Sequence, residues 1–314
     1  MTSPSFDPQT FQARIDELRA EPRGKTARQH VLSQVILRHF TDRSRLVRPI
    51  SVTDPDAPNR PIGPNGAGWE RNFVPYAADS AEKPWGTVEA RLRGVISRCV
   101  DRTPLSAEDF DVLRATVALH YIRNPKSLPI HRKSYEEARA GVVRRLPSVR
   151  GYEAAFQKLY GVLPAGPEAS EILMAEFAKQ MDDDMVSGLM WRCSAERMFY
   201  RCCEILAPMA LEIIHPIDDE FLIGDSPVIV TNESLGKGPA DHLALGDATQ
   251  LHMPLAYNLM IAFGPRHVHG DIDAVLVRKL NIQQIQAARK HVFARPNSGL
   301  ADLVQKTKWP PIDE

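Results

Sequence analysis

The stretch Leu211–Thr231, LEIIHPIDDEFLIGDSPVIVT, decides the fold class because the hydrophobic pattern of the chain changes there. Short runs rich in β-branched residues replace helical periodicity, and such runs are typical of strands. The runs are LEIIH at 211–215, EFLIG at 220–224 and VIVT at 228–231. Residues 216–219, between the first two runs, predict a hairpin turn.

The segments on either side of this stretch complete the fold prediction. Between Lys25 and Pro208 the pattern is mostly helical, and capping boxes at Thr26–Gln29 and Ser106–Asp109 mark two predicted helix starts. After it, residues 251–264 predict a second strand pair, and residues 281–294 predict a closing helix with Asn281 as its N-cap. This order predicts an α+β fold in which a mostly helical N-terminal two thirds packs on a small antiparallel sheet.

The predicted domain boundaries follow the same pattern. We expect an N-terminal helix or arm at 1–24, a single domain at 25–296 and a C-terminal tail at 297–314. A stretch rich in Pro and Gly at 49–84 predicts a long loop inside the domain. The run GPNGAG at 63–68 has the glycine spacing of neither a phosphate loop nor a dinucleotide-binding turn.

Composition and charge limit the class of protein. Hydrophobic residues make up 43% and charged residues 25% of the 314 residues, which excludes a disordered chain or a coiled-coil rod. The net charge is +0, but residues 1–160 carry +8 and residues 161–314 carry −8. The basic half keeps a nucleic-acid partner open, and packing of one half on the other is the competing interpretation.

No window of the chain approaches the roughly 18 apolar residues of a membrane span, so no membrane partner is predicted. The spacing of the four cysteines matches neither a redox motif nor a disulfide framework. We therefore expect a soluble cytoplasmic protein with reduced thiols.

The predicted helix 107–124 is apolar nearly all round, yet it carries one narrow polar stripe. The stripe consists of Asp109, Thr116, His120 and Arg123. One interpretation is an internal salt bridge that positions a neighbouring helix, and the other is a cleft wall that binds an anion. His120 and Arg123 are therefore candidate ligand-binding residues.

Two further residues are candidates for catalysis. His30 falls in the first turn of the predicted capped helix, where the helix dipole favours a neutral imidazole that is able to act as a base or to be an ordinary surface residue. Asp225, in the turn Gly224–Pro227, is a candidate to hold a metal ion or a substrate or to orient the base, or else it caps its own turn. Ser226 lacks the nucleophile-elbow pattern of a serine hydrolase. His267 and His269 supply only two ligands, so no metal site is predicted.

Several of these segments, taken in order, resemble the domain-of-unknown-function family 4238, a widespread bacterial group. The segments are Gln29-His30 with Phe40–Asp42, Arg123–Pro125, Phe221–Val228, Met253–Leu255, and Leu280-Asn281 with Ala288-Arg289 and Val292–Ala294. Ser33 and Ser226 stand where the family usually has Pro and Asn. The resemblance implies a single domain and a set of polar positions that includes His30, Arg123, Asp225 and Asn281, and it implies no activity.

Two functional hypotheses remain open from the sequence. In the first, one polar cleft binds a phosphate-bearing ligand, with phosphodiester or nucleotide chemistry as the favoured class. His30 and Asp225 are then the catalytic candidates, and Arg123, His120 and Asn281 the ligand-binding candidates. In the second, a non-enzymatic protein docks nucleic acid or an acidic partner on its basic N-terminal face. No motif indicates a cofactor, so whether the protein has one, and which partner it has, stay open.

Overall fold

The computed structural model describes residues 8–21, 28–74, 78–145, 152–235 and 244–307. These residues form an α+β fold, as predicted. The helices are α1 Pro8–Ala20, α2 Gln34–Leu37, α3 Ala78–Val100, α4 Ala107–Ile122, α5 Ser127–Arg145, α6 Tyr152–Tyr160, α7 Gly166–Ser187, α8 Leu189–Leu206, α9 Ala274–Ala287 and α10 Leu300–Lys306. The strands are β1 Arg28–His30, β2 Arg48–Ser51, β3 Trp69–Arg71, β4 Ala210–Pro216, β5 Ile223–Gly224, β6 Ile229–Thr231, β7 Gln250–Ala256, β8 Leu259–Gly264, β9 His269–Ile272 and β10 His291–Ala294.

The strands in the described part of the chain form three sheets. The largest has the order β6-β7-β8-β4-β9, with antiparallel neighbours except for the parallel pair β4 and β9. A three-stranded sheet has the order β2-β10-β5, and β1 pairs with β3. The single small antiparallel sheet of the prediction is therefore divided, because β5 pairs with β10 and not with the other predicted strands.

Helix α4 lies at the centre of the molecule because its surface is apolar on nearly every side. It packs between α3 and α8, and Leu113, Val117 and Leu119 are fully or almost fully buried. The predicted capping box starts it: the Asp109 backbone N–H donates to Ser106 Oγ at 3.2 Å, and the Ser106 backbone N–H donates to Asp109 Oδ2 at 2.9 Å. Both orphan donors at the helix start are thereby satisfied.

The predicted helix over Thr26–Phe40 is wrong in its first half. Arg28–His30 is strand β1, which pairs with β3, and the short helix α2 begins only after the N-cap Ser33. The Gln29 side chain accepts a hydrogen bond from the Val74 backbone N–H at 2.7 Å and donates to its carbonyl at 3.1 Å. These long-range bonds favour the extended backbone over the helix that the apolar spacing predicted, and Thr26 lies outside the described residues.

The predicted hairpin through 216–219 is also wrong. Strand β4 pairs with β8 and β9, whereas β5 pairs with β10 in the other sheet. The predicted closing helix 281–294 is likewise divided into α9 and β10. Asp273 caps α9, because its Oδ1 accepts from the Leu276 backbone N–H at 2.9 Å, so Asn281 lies inside the helix and is not its N-cap.

The two ends of the described chain pack on the rest. Ile15 and Leu18 of α1 are buried with Leu189 and Cys193, and α10 adds Leu300 and Val304 to the cluster around Ile285. No helix among the described residues has the length and apolar character needed to cross a membrane.

Ion pairs join the basic half of the chain to the acidic half. Arg14 pairs with Glu196 at 2.8 Å, Arg19 with Asp184 at 2.7 Å and Arg139 with Asp182 at 2.7 Å, and Arg102 also pairs with Asp271. Part of the +8 and −8 is therefore compensated inside the molecule. Arg38, Arg43 and Arg45 remain exposed, and Arg28 stacks 4.0 Å from the Trp69 ring centroid.

Candidate functional site

The polar stripe of α4 connects this helix to α3. Arg123 is only 2% exposed, and its Nη1 donates to Glu89 Oε1 at 2.7 Å. Its guanidinium also lies 4.5 Å from the centroid of the Trp85 ring, which adds a cation–π contact. At the other end of α4, Asp109 pairs with Arg98 of α3. Both pairs match the interpretation of the stripe as an internal network that positions a neighbouring helix.

His120 uses both of its ring nitrogens within the fold. Its Nδ1 donates to the Thr116 carbonyl at 2.8 Å, and its Nε2 accepts from the Ser33 backbone N–H at 3.1 Å. These two bonds define a neutral tautomer. Burial is the main reason that the pKa of His120 falls to about 4, and the charge of Arg123 lowers it further. His120 therefore holds the start of α2 and presents neither nitrogen to a ligand.

The two buried histidines whose pKa falls furthest make stability depend on pH. Burial lowers the pKa of both His120 and His252 to about 4, while an unfolded histidine titrates near 6.5. Only the unfolded state gains protons as the pH falls from 7 to 5, so the free energy of unfolding should fall by about 2 kcal/mol for each histidine. Urea titrations at the two pH values measure this loss of stability. In H120Q, the part of the loss that comes from His120 should disappear. An H120Q protein with unchanged pH dependence would contradict the assignment.

His30 lies close to Arg123 but is not in a helix. It is half-buried in β1, and Gln34 Nε2 lies 3.1 Å from its Nε2. Burial is the main cause that lowers the pKa of His30, and the charge of Arg123 lowers it further. A hydrogen bond to the Asn65 backbone and the charge of Glu89 oppose this shift. The imidazole is therefore neutral at pH 7, because of burial and not because of a helix dipole.

Asp225 anchors a turn that is distant in sequence. Its Oδ1 accepts from the Arg289 backbone N–H at 2.7 Å, and its Oδ2 accepts from those of Lys290 and His291 at 2.8 and 3.0 Å. The side chain is buried, and burial raises the pKa of Asp225 while the three backbone donors oppose that shift. The carboxylate thus connects the β5 segment to the turn between α9 and β10.

Asn281 and Gln284 satisfy the irregular backbone around β5. Asn281 accepts from the Leu222 N–H and donates to the Glu220 carbonyl, both at 2.9 Å. One helical turn later, Gln284 accepts from the Gly224 N–H at 3.0 Å and donates to the Pro227 carbonyl at 2.9 Å. Gln284 is not among the sequence-predicted residues, although two amides three residues apart on an otherwise apolar helix face are a signal for such a role.

A hydrogen bond joins the end of α4 to the turn that contains Asp225. Ser226 Oγ donates to Asn124 Oδ1 at 3.0 Å, and the same oxygen accepts from the Lys126 backbone N–H at 2.9 Å. The structure thus places His30, His120 and Arg123 on one side of this bond, and Asp225 and Asn281 on the other. Backbone groups already form hydrogen bonds with the side chains of His120, Asp225 and Asn281. The sequence-predicted residues therefore stabilise the structure around a site more than they form its lining.

The cavity beside this junction is basic. It has a volume of about 370 Å³ and is lined in part by Pro125, by Glu70 of β3 and by Glu136 of α5. Four cations also line it, namely Arg71 of β3, Arg132 and Lys133 of α5, and Arg289 of the turn that Asp225 holds. None of the four forms an ion pair with a carboxylate of the described residues, whereas Glu70 is paired with Lys290 at 2.7 Å.

The bonds already described hold the three basic elements together. The Glu70–Lys290 pair connects β3 to the turn, Asp225 fixes the backbone of Arg289, and Asn124 fixes the start of α5 against Ser226. Burial lowers the pKa of Lys126, and the nearby charge of Arg289 lowers it further, while the charge of Asp225 raises it. The sequence analysis did not select Arg71, Arg132, Lys133 or Arg289 as site residues, and the adjacent cations at 132–133 were the only local signal.

The described residues contain no group of three His, Cys, Asp or Glu side chains that could hold a metal ion. His267 Nδ1 accepts from the Leu211 backbone N–H at 3.2 Å, and His269 stacks on His215 with ring centroids 6.1 Å apart. The two histidines of the HVH segment therefore have separate structural contacts.

Comparison with known proteins gives one match. The family model described as "Protein of unknown function (DUF4238)" matches residues 28–298. No curated protein and no solved structure matches the chain.

Proposed function

Because the chain belongs to the DUF4238 family, whose description records no function, we propose a function from the chemistry of the basic cavity itself: it binds a phosphate-bearing ligand. The observation that carries this proposal is the convergence of Arg71, Arg132, Lys133 and Arg289 on one cavity of about 370 Å³. The proposal retains the ligand class inferred from the sequence and moves its site from the His30–Arg123 group to the neighbouring cavity.

Charge and geometry both favour an anion in this cavity. Four cations without an ion-pair carboxylate among the described residues repel one another, and an anion that binds between them relieves that repulsion. Arginine presents several N–H donors in a planar fork that matches phosphate oxygens. Since four cations converge here, a phosphate group with a charge of about −1.5 to −2 is favoured over a carboxylate with a charge of −1.

The proposal is limited to binding. Among the described residues that line the cavity there is no histidine, cysteine or serine, so the lining supplies no hydroxyl or thiol nucleophile and no imidazole base. His30 and Asp225, the catalytic candidates, have their own contacts beside the cavity. Phosphodiester or nucleotide chemistry therefore has less support than recognition of the phosphate.

Charge reversal in α5 tests the proposal. We expect R132E/K133E to weaken the binding of ATP by about 100-fold, because each lost charge-assisted contact is worth about 1.5 kcal/mol. Isothermal titration calorimetry measures the dissociation constant, with adenosine as the probe that lacks phosphate. Binding of ATP should also weaken as the salt concentration rises.

The matched control is R38E/R43E, which makes the same change in net charge on the exposed N-terminal face. It should leave ATP binding within about twofold of the wild type, because screening at physiological salt weakens charges beyond about 8 Å. Equal affinity for adenosine and ATP, or full ATP binding by R132E/K133E, would show that the cavity is not a phosphate site.

The second candidate function is docking of nucleic acid on the N-terminal face. It is favoured by the exposed Arg38, Arg43 and Arg45 and by Arg28 stacked on Trp69, since a cation beside an aromatic ring suits a nucleic-acid strand. A single-stranded oligonucleotide distinguishes the two candidates. If R38E/R43E abolishes its binding and R132E/K133E does not, the docking function replaces the cavity function.

We also propose a bacterial, cytoplasmic protein. All four cysteines are free thiols, and burial raises the pKa of Cys99 and Cys202 to about 12, which supports a reducing compartment. A disulfide in protein isolated from its native cell with thiols blocked would contradict this location.

A further inference from the structure

A second cavity lies between the five-stranded sheet and α9. Its volume is about 450 Å³, and it covers the face of the sheet opposite to the buried Leu211 and Ile213. Ile214, Met260 and Leu280 supply apolar walls. A largely apolar cavity with a few polar groups is the usual form of a small-molecule site.

Strand register places two titratable groups across this cavity from each other. Glu212 of β4 is the direct partner of Ala262 in β8, and Ala262 is the direct partner of His252 in β7. Direct partners point to the same face of a sheet, so all three line the cavity, with Glu212 and His252 about 10 Å apart at their Cα atoms. The small Ala262 side chain leaves the space between them open.

Three acceptor-capable groups in this cavity lack donors. His252 is 5% exposed, and its Nε2 has no hydrogen-bond partner among the described residues. The buried Oε1 of Gln283 also has none, and no described residue donates a hydrogen bond to the Glu212 carboxylate. Buried polar atoms in proteins are normally paired, so the two buried unpaired atoms beside the part-exposed Glu212 carboxylate indicate a ligand.

The protonation of these groups selects the chemistry of the ligand. Burial lowers the pKa of His252 to about 4, so its imidazole is neutral at pH 7, and Nε2 accepts when the proton is on Nδ1. Burial raises the pKa of Glu212, and the charge of Arg266 opposes that shift. Lys279 is exposed at the rim and Asp271 is paired with Arg102, which leaves Glu212 as the unpaired charge deepest in the sheet wall.

We propose that this cavity binds a small molecule with an apolar body and a protonated primary amine, with the amine held between Glu212 and His252. A primary ammonium carries three N–H donors, which matches the three acceptors Glu212, His252 Nε2 and Gln283 Oε1. The apolar body lies against Ile214, Met260 and Leu280. This site is separate from the basic cavity and independent of its function.

Three small probes of one shape test the proposal. They are 2-phenylethylamine, 2-phenylethanol and phenylacetate, which share the apolar ring and differ in the charge of the head group. Isothermal titration calorimetry on the full chain should show binding of the amine, weaker binding of the alcohol and weakest binding of the acid. Equal or tighter binding of phenylacetate, or no binding of the amine at millimolar concentrations, would overturn the proposal.

Variants locate the binding. E212Q keeps the shape of the side chain and removes its charge, and it should weaken amine binding by about tenfold or more. E176Q, on the exposed face of α7, makes the same change elsewhere and should bind as the wild type does. A262V places two methyl groups between Glu212 and His252 and should also weaken binding, with circular dichroism to confirm that it is folded. Unchanged affinity in E212Q would overturn the assignment of the amine to this cavity.

Discussion

Replacement of Asp225 with alanine is expected to lower the free energy of unfolding by about 3–5 kcal/mol. The change removes the acceptor of three backbone N–H groups, those of Arg289, Lys290 and His291. These hydrogen bonds are part-buried, and each bond to a charged acceptor is worth about 1.5–3 kcal/mol, although the three are not fully additive. Since whole domains are stable by about 5–15 kcal/mol, this is a large fraction of the total.

Urea unfolding at 25 °C and pH 7 measures the effect, and S226A is the matched control. Ser226 is as deeply buried as its neighbour, yet its hydroxyl makes one neutral hydrogen bond, to Asn124, so S226A should cost about 1 kcal/mol. A D225A protein as stable as S226A would refute the anchoring role. The Asp225 carboxylate would then remain a catalytic candidate.

Replacement of Asn281 with alanine is expected to cost about 2–4 kcal/mol. The Asn281 amide forms hydrogen bonds with two backbone groups that have no partner in a strand, the Leu222 N–H and the Glu220 carbonyl. The side chain is fully buried. Alanine leaves both without partners and opens a small cavity in the packing between α9 and β5. Thermal and urea unfolding should both show the loss.

The control for this change is Q286A, which also replaces an amide side chain of α9. Gln286 is half-buried and makes no side-chain hydrogen bond with the described residues, so its replacement by a better helix former should change stability by less than about 0.5 kcal/mol. If N281A is as stable as Q286A and instead loses ATP affinity, Asn281 is a ligand-binding residue and not a backbone clamp.

Predictions from the sequence succeeded where local chemistry is sufficient. Helix α4 was predicted with its capping box at Ser106 and its end near Asn124, because caps and apolar periodicity act within a few residues of each other. The β7 and β8 pair was predicted for the same reason, since one turn connects the two strands. The apolar spacing after Thr26 is equally local, but it failed because Gln29 bonds to Val74 and stabilises an extended chain.

The candidate site shows the same division. Arg123 is a candidate because it is polar on an apolar helix, Asp225 because of its turn, and Asn281 through the family resemblance, and all three are buried. Their bonding was not predictable, because each contacts backbone or side chains far along the chain. The basic cavity was missed, since Arg71, Arg132 and Arg289 are ordinary exposed residues until folding brings β3, α5 and the Asp225-bound turn together.

The amino-acid sequence by itself therefore determined the α+β class, the central buried helix and the positions at which polar groups interrupt the apolar core. These depend on periodicity and capping, which act over a few residues. Only the tertiary structure decided which strands pair, which polar side chains form hydrogen bonds with the backbone and where the unpaired cations converge. Those outcomes depend on hydrogen bonds and charges between segments that are distant along the chain, and local pattern carries no information about such distances.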